Sequence, residues 1–455
     1  VSQIPALLLS TAAGMIVTRV ASEHADSHLG RDIGGQILAQ PRALLIAGVL
    51  LALLGLVPGL PMLPFFLLAA LTGGVGYRLV RSAQRGTTGQ ADDGERLTRA
   101  DTAAALRLPA PVTLRVGAGL TPSVDTGTED GALLRELIPA MRLHIQRELG
   151  VRVPGVKVEG DAQDLPSRGF AVLIDEIPVS TVEVPPGMVL VNAAAPDVIA
   201  FCPSVQPASN PANGQPACMV PAAQATMLTA AGFQVWNLPE LLVLHLTGVI
   251  RRHGDSFLDM QEAQNMLDEM ETTHPALVKE VGRVASPLLL SDVLKRLVAE
   301  GVSIRDLRTI LQTVARWGSV EKNPLQLAEF VRMDLCRQIC HELGGGTACL
   351  HVHLLDPLVE ETIQAAIRQT PAGNYLSLDP AFREDFYTIL KRELELSNNG
   401  GHRPIILTAA EVRPYVRGLL QADYPGVAVL SYDELAPGVS VQPLASLSVQ
   451  NVTGD

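Results

Sequence analysis

Cys336 and Cys340 stand four residues apart with His341 adjacent, and Cys349, His351 and His353 follow a run of three glycines. Thiolate and imidazole groups gathered like this would bind zinc if they converged on one tetrahedral point. The spacing lacks the paired, short-spaced cysteine knuckle of structural zinc sites. The plainer reading packs Cys336 and Cys340 into a helix core, as free cysteines usually are. It places His351 and His353 on one strand face, because strand side chains alternate. We therefore expect no metal and no cofactor, and keep a zinc enzyme built on residues 336–353 as the weaker alternative. No lysine sits in a GxxxxGK[ST] phosphate loop, and the sequence has no HExxH, GxSxG or CxxC. Gly344-Gly345-Gly346 follows a helix and lacks the strand-to-helix context of a dinucleotide loop, so it reads as a flexible turn. The chain is expected not to be an enzyme.

With no engine in view, charge and hydropathy set the remaining classes. The 455 residues carry a formal net charge of −12, against the basic face that phosphate binding requires. Aromatic residues make up 4% of the chain, few for a surface that stacks bases. One region still tests that exclusion. "SDVLKRLVAEG" and "SIRDLRTILQTVARWG" read as two helices with only Gly301-Val302 between them. Ser303 and Asp306 form a capping-box-like start, and Ile304, Leu307, Ile310, Leu311 and Val314 recur at helical spacing. Gly318 stops the run. A helix, a turn and a helix with exposed arginines could read DNA from a membrane tether, or could be a brick in an assembly. Residues 288–318 hold five basic and three acidic side chains, too small an excess for a DNA footprint.

The membrane enters through residues 43–77, which contain no charged side chain. Mean hydropathy over the whole chain is +0.24, and this stretch carries the excess. A spanning helix needs ~20 apolar residues, and Pro58-Gly59-Leu60-Pro61 breaks the run near its middle. That pattern predicts a helical hairpin. Arg19, Arg31 and Arg42 precede it and Arg78, Arg81 and Arg85 follow it, so both ends are expected in the cytoplasm. Residues 1–18 are also uncharged and read as the end of a further membrane segment or a re-entrant piece. The chain opens on Val1, so upstream sequence is expected, and no secretory signal peptide is recognised. The five cysteines, odd in number and scattered, read as reduced thiols.

The fold class that follows is a membrane-anchored, multidomain α/β protein. Residues 1–81 are assigned to transmembrane segments and 82–109, polar and mixed in charge, to a linker. A first α/β subdomain is expected from 110–184 and 222–252. In it "PVTLRVGAGL" is a strand, "GALLRELIPAMRLHIQRELG" a helix facing inward through Leu133, Leu137, Met141 and Ile145, and "GFAVLIDEIPVSTVEV" one or two strands. The proline-dense residues 185–221 form a small inserted second subdomain. Residues 253–340 are a helical third, and 341–455 an α/β fourth in which helices cover a sheet.

The stretches "VSQIPALLLSTAAGMIVTRV", "GLVPGLPMLPF", "LVAEGVSIRDLRTILQTVARWG", "LLDPLVEETIQAAIRQTPAGNYLSLDP" and "VAVLSYDELAPGVSVQPLASLSV" together carry a family likeness. By them the chain resembles the FHIPEP family of type III secretion export-gate proteins, injectisome branch. It implies an inner-membrane, multi-pass protein with a large cytoplasmic region of four subdomains assembled as a nonameric ring. The partners implied are further copies of the chain, chaperone–effector complexes, the stalk protein of the secretion ATPase, a gatekeeper protein and other export-apparatus membrane proteins, with no nucleic acid. By this resemblance "SIRDLRTILQTVARWG" lies in the ring-packing subdomain, and Arg305, Asp306 and Arg308 are the expected interface residues. Chaperones are expected in the cleft between the first two subdomains. Flagellar members carry Asp-Pro-Ala-Phe-Gly there, where this chain has Asn210-Pro211-Ala212-Asn213-Gly214, and Thr where it has Leu244 before His245. Asn210, Asn213 and Leu244 are thus the docking candidates, without the family's aromatic anchor and carboxylate. A plain Asn-Pro turn stands equal to that reading.

Overall fold

The structure is a computed structural model that describes residues 110–125, 128–370, 373–398 and 403–449, the side chains of 395–398 excepted, with Ala70 alone upstream. The expected hairpin at 43–77, the segment 1–18 and the linker therefore lie outside the described residues. No helix among the described residues is long and apolar enough to cross a membrane. Residues Val1–Arg107 and Leu108–Asp455 separate into two units, and every element below belongs to the second.

β1 (Val112–Val116) alternates, with Val112, Leu114 and Val116 fully buried on one face and Thr113 and Arg115 between them. α1 (Glu129–Leu149) begins at Thr128, whose hydroxyl accepts from the Gly131 N–H, and Glu129 and Asp130 complement its positive end. Its buried stripe is Leu134, Ile138, Met141, Ile145 and Leu149. Leu133 and Leu137, expected inside, are half-buried, because the core-facing stripe starts one residue later. Gly150 ends the helix at φ +81°, a left-handed cap that glycine adopts without strain. β2 (Val156–Glu159), β3 (Gly169–Ile174) and β4 (Ile177–Glu183) complete a sheet of order β2-β1-β3-β4. "GFAVLIDEIPVSTVEV" is two strands, since Asp175 and Glu176 both take positive φ (50° and 66°) in a tight hairpin turn.

A second antiparallel sheet, of order β6-β7-β5-β8, contains β5 (Met188–Val191), β6 (Gln206–Ser209), β7 (Pro216–Pro221) and β8 (Val235–Trp236). α2 (Ala195–Val198) and α3 (Ala225–Ala230) cover it. Val191, Val198, Cys202, Cys218, Val220 and Leu228 make a small core of its own. β8 lies beyond residue 221, where the prolines thin out, because a two-residue strand leaves no periodicity to read.

The helical block follows: α4 (Leu238–Arg252), α5 (Met260–Thr273), α6 (Pro275–Val284), α7 (Pro287–Ala299), α8 (Leu307–Trp317), α9 (Pro324–Asp334) and α10 (Cys336–Leu343). Asn237 and Glu240 close a capping box at the start of α4, and proline opens α6, α7 and α9, where its missing N–H is harmless. Two sequence expectations are corrected here. The connection between α7 and α8 is residues 300–306, not Gly301-Val302 alone. Ser303 does not cap α8; it is buried and its hydroxyl donates to Glu148 O at 2.7 Å, while Asp306 is the cap, accepting from Thr309 N at 3.1 Å. Val302, Ser303 and Ile304 form a buried strap along the end of α1, with Ile304 N donating to Leu149 O at 2.8 Å. A strap pinned this way is unlike the short, free turn of a DNA-reading helix pair, so that alternative finds no support.

The last sheet, order β13-β12-β9-β14, is parallel throughout. Its strands are β9 (Cys349–Leu355), β12 (Ile405–Thr408), β13 (Ala428–Ser431) and β14 (Ser440–Leu447), with α11 (Pro357–Ala365), α12 (Pro380–Asn398) and α13 (Arg413–Leu420). Beyond α11, β10 (Ile367–Thr370) pairs antiparallel with β11 (Gly373–Leu376).

Candidate functional site

A large open cleft of about 1250 Å3 runs between the first, second, third and fourth parts of this unit. Glu148 and Ser180, Asn213 and Gln215, Gly301, and Arg417 represent those parts in its lining. Of the three docking candidates, the structure brings only Asn213 to this cleft. Asn210 is buried; its amide donates to Asn192 Oδ1 at 3.3 Å and its carbonyl oxygen accepts from Ala212 N at 2.9 Å. Asn213 accepts from Gln215 N at 3.0 Å. The Asn-Pro segment is a β6–β7 turn built by its own asparagines, and it is seated on α4. Gly248 makes that seat possible, since a Cβ there would fall 1.9 Å from Pro211 O. Leu244 is half-buried against the main core. His245 is buried, with Nε2 2.8 Å from Ser180 Oγ and its ring edge-on to Phe170. Burial, and secondarily Arg252, lowers its pKa to about 4, so it is neutral at physiological pH.

The cysteine–histidine group does not converge. Cys340 Sγ donates to Glu434 O at 3.3 Å and accepts from Ala436 N at 3.4 Å, and burial pushes its thiol pKa up. Among the described residues no three His, Cys, Asp or Glu side chains gather to hold a metal ion. His353 is buried while His351 is half-buried.

Between the helical block and the last sheet lies a feature the sequence reading missed. Arg413 is fully buried; it binds Glu300 at 2.7 and 3.2 Å and forks onto both oxygens of Glu329. Arg332, also buried, reaches Glu300 at 3.0 Å, Val429 O at 3.3 Å and Glu434. Burial works to raise the Glu300 carboxyl, but Arg413 and Arg332 together outweigh it and hold the group down at about 2. The signal was present: Arg413, Val416, Arg417 and Leu420 occupy one helical stripe, so arginine stands where an apolar core residue belongs.

Arg305, Asp306 and Arg308 are exposed at the start of α8. Asp306 is occupied locally, taking Thr309 Oγ1 at 2.7 Å as well as the backbone N–H. The two arginines have no ion pair among the described residues.

With this geometry in place, kinship can be assigned. The FHIPEP family is matched over residues 1–440, and the chain belongs to that family. Low calcium response locus protein D of Yersinia pestis is 34% identical over 463 residues, covering 98% of this chain and 65% of that protein. The chain thus spans about 65% of the length of the relatives it matches. The Chlamydia pneumoniae CdsV protein in its complex with CdsO superposes with a TM-score of 0.68 at 33% identity, over 75% of this chain and 98% of that one. The nonameric EscV cytosolic domain from the type III secretion system gives 0.60 at 25% identity, over 75% and 97%.

Proposed function

We propose that this chain is an export-gate component of a type III secretion injectisome, a ring-forming receptor that takes chaperone–effector complexes and feeds unfolded effectors to the export channel. The observation that carries the reading is the shared fold with the nonameric EscV domain, nearly all of which aligns with the unit described here. In this reading the unit hangs in the cytoplasm below an inner-membrane, multi-pass segment that includes the 43–77 hairpin, and nine copies close a ring. The CdsV–CdsO complex supports a stalk-type partner. Chaperone–effector complexes, a gatekeeper and other export-apparatus membrane proteins complete the set. The role is non-enzymatic: the chain scaffolds and receives, and does no bond chemistry. Single-particle images of the purified chain test the reading. Ninefold rings are expected; particles that stay monomeric at high concentration, in detergent and in lipid, would overturn it.

A further inference from the structure

Beside Gly301, the cleft wall carries two guanidinium groups, Arg403 and Arg417, that form no close ion pair among the described residues, although Glu342 attracts the first and Glu300 the second. Arg417 is 7% exposed. It donates to Val427 O at 2.8 Å, to Pro425 O at 3.4 Å and to Ala299 O at 3.5 Å. Arg403, exposed at the same wall, donates through Nε to Gly426 O at 3.2 Å. Carbonyl dipoles satisfy N–H groups but leave the positive charge uncancelled. Glu300, the nearby carboxylate, is already held by Arg413 at 2.7 and 3.2 Å and by Arg332 at 3.0 Å. Burial lowers the Arg417 pKa; Glu300 opposes this, and Arg403, Arg413 and Arg332 lower it further. Glu342, the other acidic group at this place, has its pKa pushed up by burial.

Space accompanies the charge. Arg403 and Arg417 line a small cavity of about 30 Å3 that shares Glu300, Gly301 and Val427 with the lining of the large cleft. That volume suits one or two waters, or the oxygens of a single small anion. Gly301 has φ +75°, and even a Cβ there would stand 4.0 Å from Arg403 Nη2, so the backbone leaves the approach open. Arginine's planar fork matches an oxyanion with two parallel hydrogen bonds.

We propose that Arg403 and Arg417 form an oxyanion subsite that receives a carboxylate from an acidic segment of a polypeptide lying in the cleft. Free phosphate presents the same chemistry, but the 30 Å3 cavity shares its lining with a cleft of about 1250 Å3, far more room than a single small anion fills. The choice of a polypeptide as occupant rests on the export-gate reading.

The test is fluorescence anisotropy of the purified full chain with a labelled hexaglutamate peptide, a hexaglutamine control, and inorganic phosphate as competitor. Wild type should bind hexaglutamate and ignore hexaglutamine. Arg403→Gln should weaken binding by about tenfold, the effect of one lost charge-assisted contact, with an unchanged melting temperature because the side chain is exposed. Arg403→Lys should recover part of the loss. Arg417→Gln, checked for folding by its melting curve, should weaken binding at least as much. Equal binding by wild type and Arg403→Gln, or no binding at all, would overturn the site. Phosphate binding without peptide binding would overturn the polypeptide occupant. Neither result touches ring formation, so failure here is distinguishable from failure of the export-gate reading.

Discussion

The junction between the helical block and the last sheet adds a buried ionic network to its apolar packing, whereas the core of the sheet of residues 188–236 is apolar. At the junction, buried Arg332 and Arg413 join buried Glu434 and the partly buried Glu300 and Glu329. In the smaller sheet, Val191, Val198, Cys202, Cys218, Val220 and Leu228 form a separate buried apolar cluster. A buried ionic network holds only in one geometry, since each ion left unpartnered is expensive to bury. An apolar core forgives a shift of a few tenths of an ångström and relaxes around it. The two regions therefore differ in what they resist. Disturbing the junction would strand buried charge, and disturbing the small sheet's core would not. Both border the same cleft, one wall backed by an ionic network and the other by an apolar core.

The comparison breaks hardest at Arg413. Arg413→Met leaves Glu300 and Glu329 buried with one cation fewer, and should cost about 3–5 kcal/mol in urea denaturation. Adding Glu329→Leu should restore part of that loss, because the surviving Glu300 keeps Arg332 at 3.0 Å. A single variant as stable as wild type would show that the network is not holding the junction.

Acid separates two regions by pH. Glu300 titrates at about 2 in the fold against an ordinary value near 4.5. Its contribution, about 3 kcal/mol, is complete above pH 4.5 and disappears as pH falls from there toward 2. His245 titrates at about 4 against 6.5. It is neutral in the fold, so its contribution, also about 3 kcal/mol, is complete above pH 6.5 and is lost as pH falls toward 4. Thermal melts across pH 7 to 3 should show the upper loss first, and His245→Gln should remove it while leaving the lower one. An unchanged upper loss in that variant would refute the assignment.

The apolar wall is probed at Leu228, fully buried in the small core. Leu228→Ala should cost about 2–3 kcal/mol, and the loss should stay local. Hydrogen exchange should accelerate across residues 188–236 while amides of β12 and β13 keep their protection. Equal acceleration in both places would mean that the two regions unfold as one and that their contrast is only chemical.

How much of this was legible depends on the kind of signal. Period and punctuation revealed α1, α7 and the strands at β1 and β9, because each carries its own apolar repeat or cap. The turn at Asp175-Glu176 was half legible, since two acidic residues without glycine rarely take positive φ. β8 and β10 were not legible: each is held by its neighbour strand and not by its own residues. The cleft was approached through family likeness at Asn210, Asn213 and Leu244, yet only Asn213 lines it. Its charged wall comes from residues as far apart as Arg251 and Arg417, and no linear spacing announces such a meeting. The buried arginines of α13 did leave a trace, in arginine standing on an apolar stripe.

The smallest effect on stability belongs to the start of α8, and its value lies in what else it changes. Arg305 and Arg308 are exposed and without an ion pair among the described residues, while Asp306 between them is already used as the helix cap. Asp306 is therefore a poor candidate for an intersubunit contact, because leaving Thr309 would uncap the helix. The two guanidinium groups are free to reach a neighbour's carboxylate. In a closed ring one face of each copy meets a different face of the next, so a modest contact is repeated at every junction. In an isolated copy the same side chains contribute little, as exposed charges do. Arg305→Glu with Arg308→Glu should then leave the melting temperature of the monomer nearly unchanged while rings vanish from particle images and secretion stops. Rings of normal abundance from that double variant would return these arginines to the solvent face of α8. A large fall in melting temperature would show instead that they support the strap at Val302–Ile304, whose next residue is Arg305 itself.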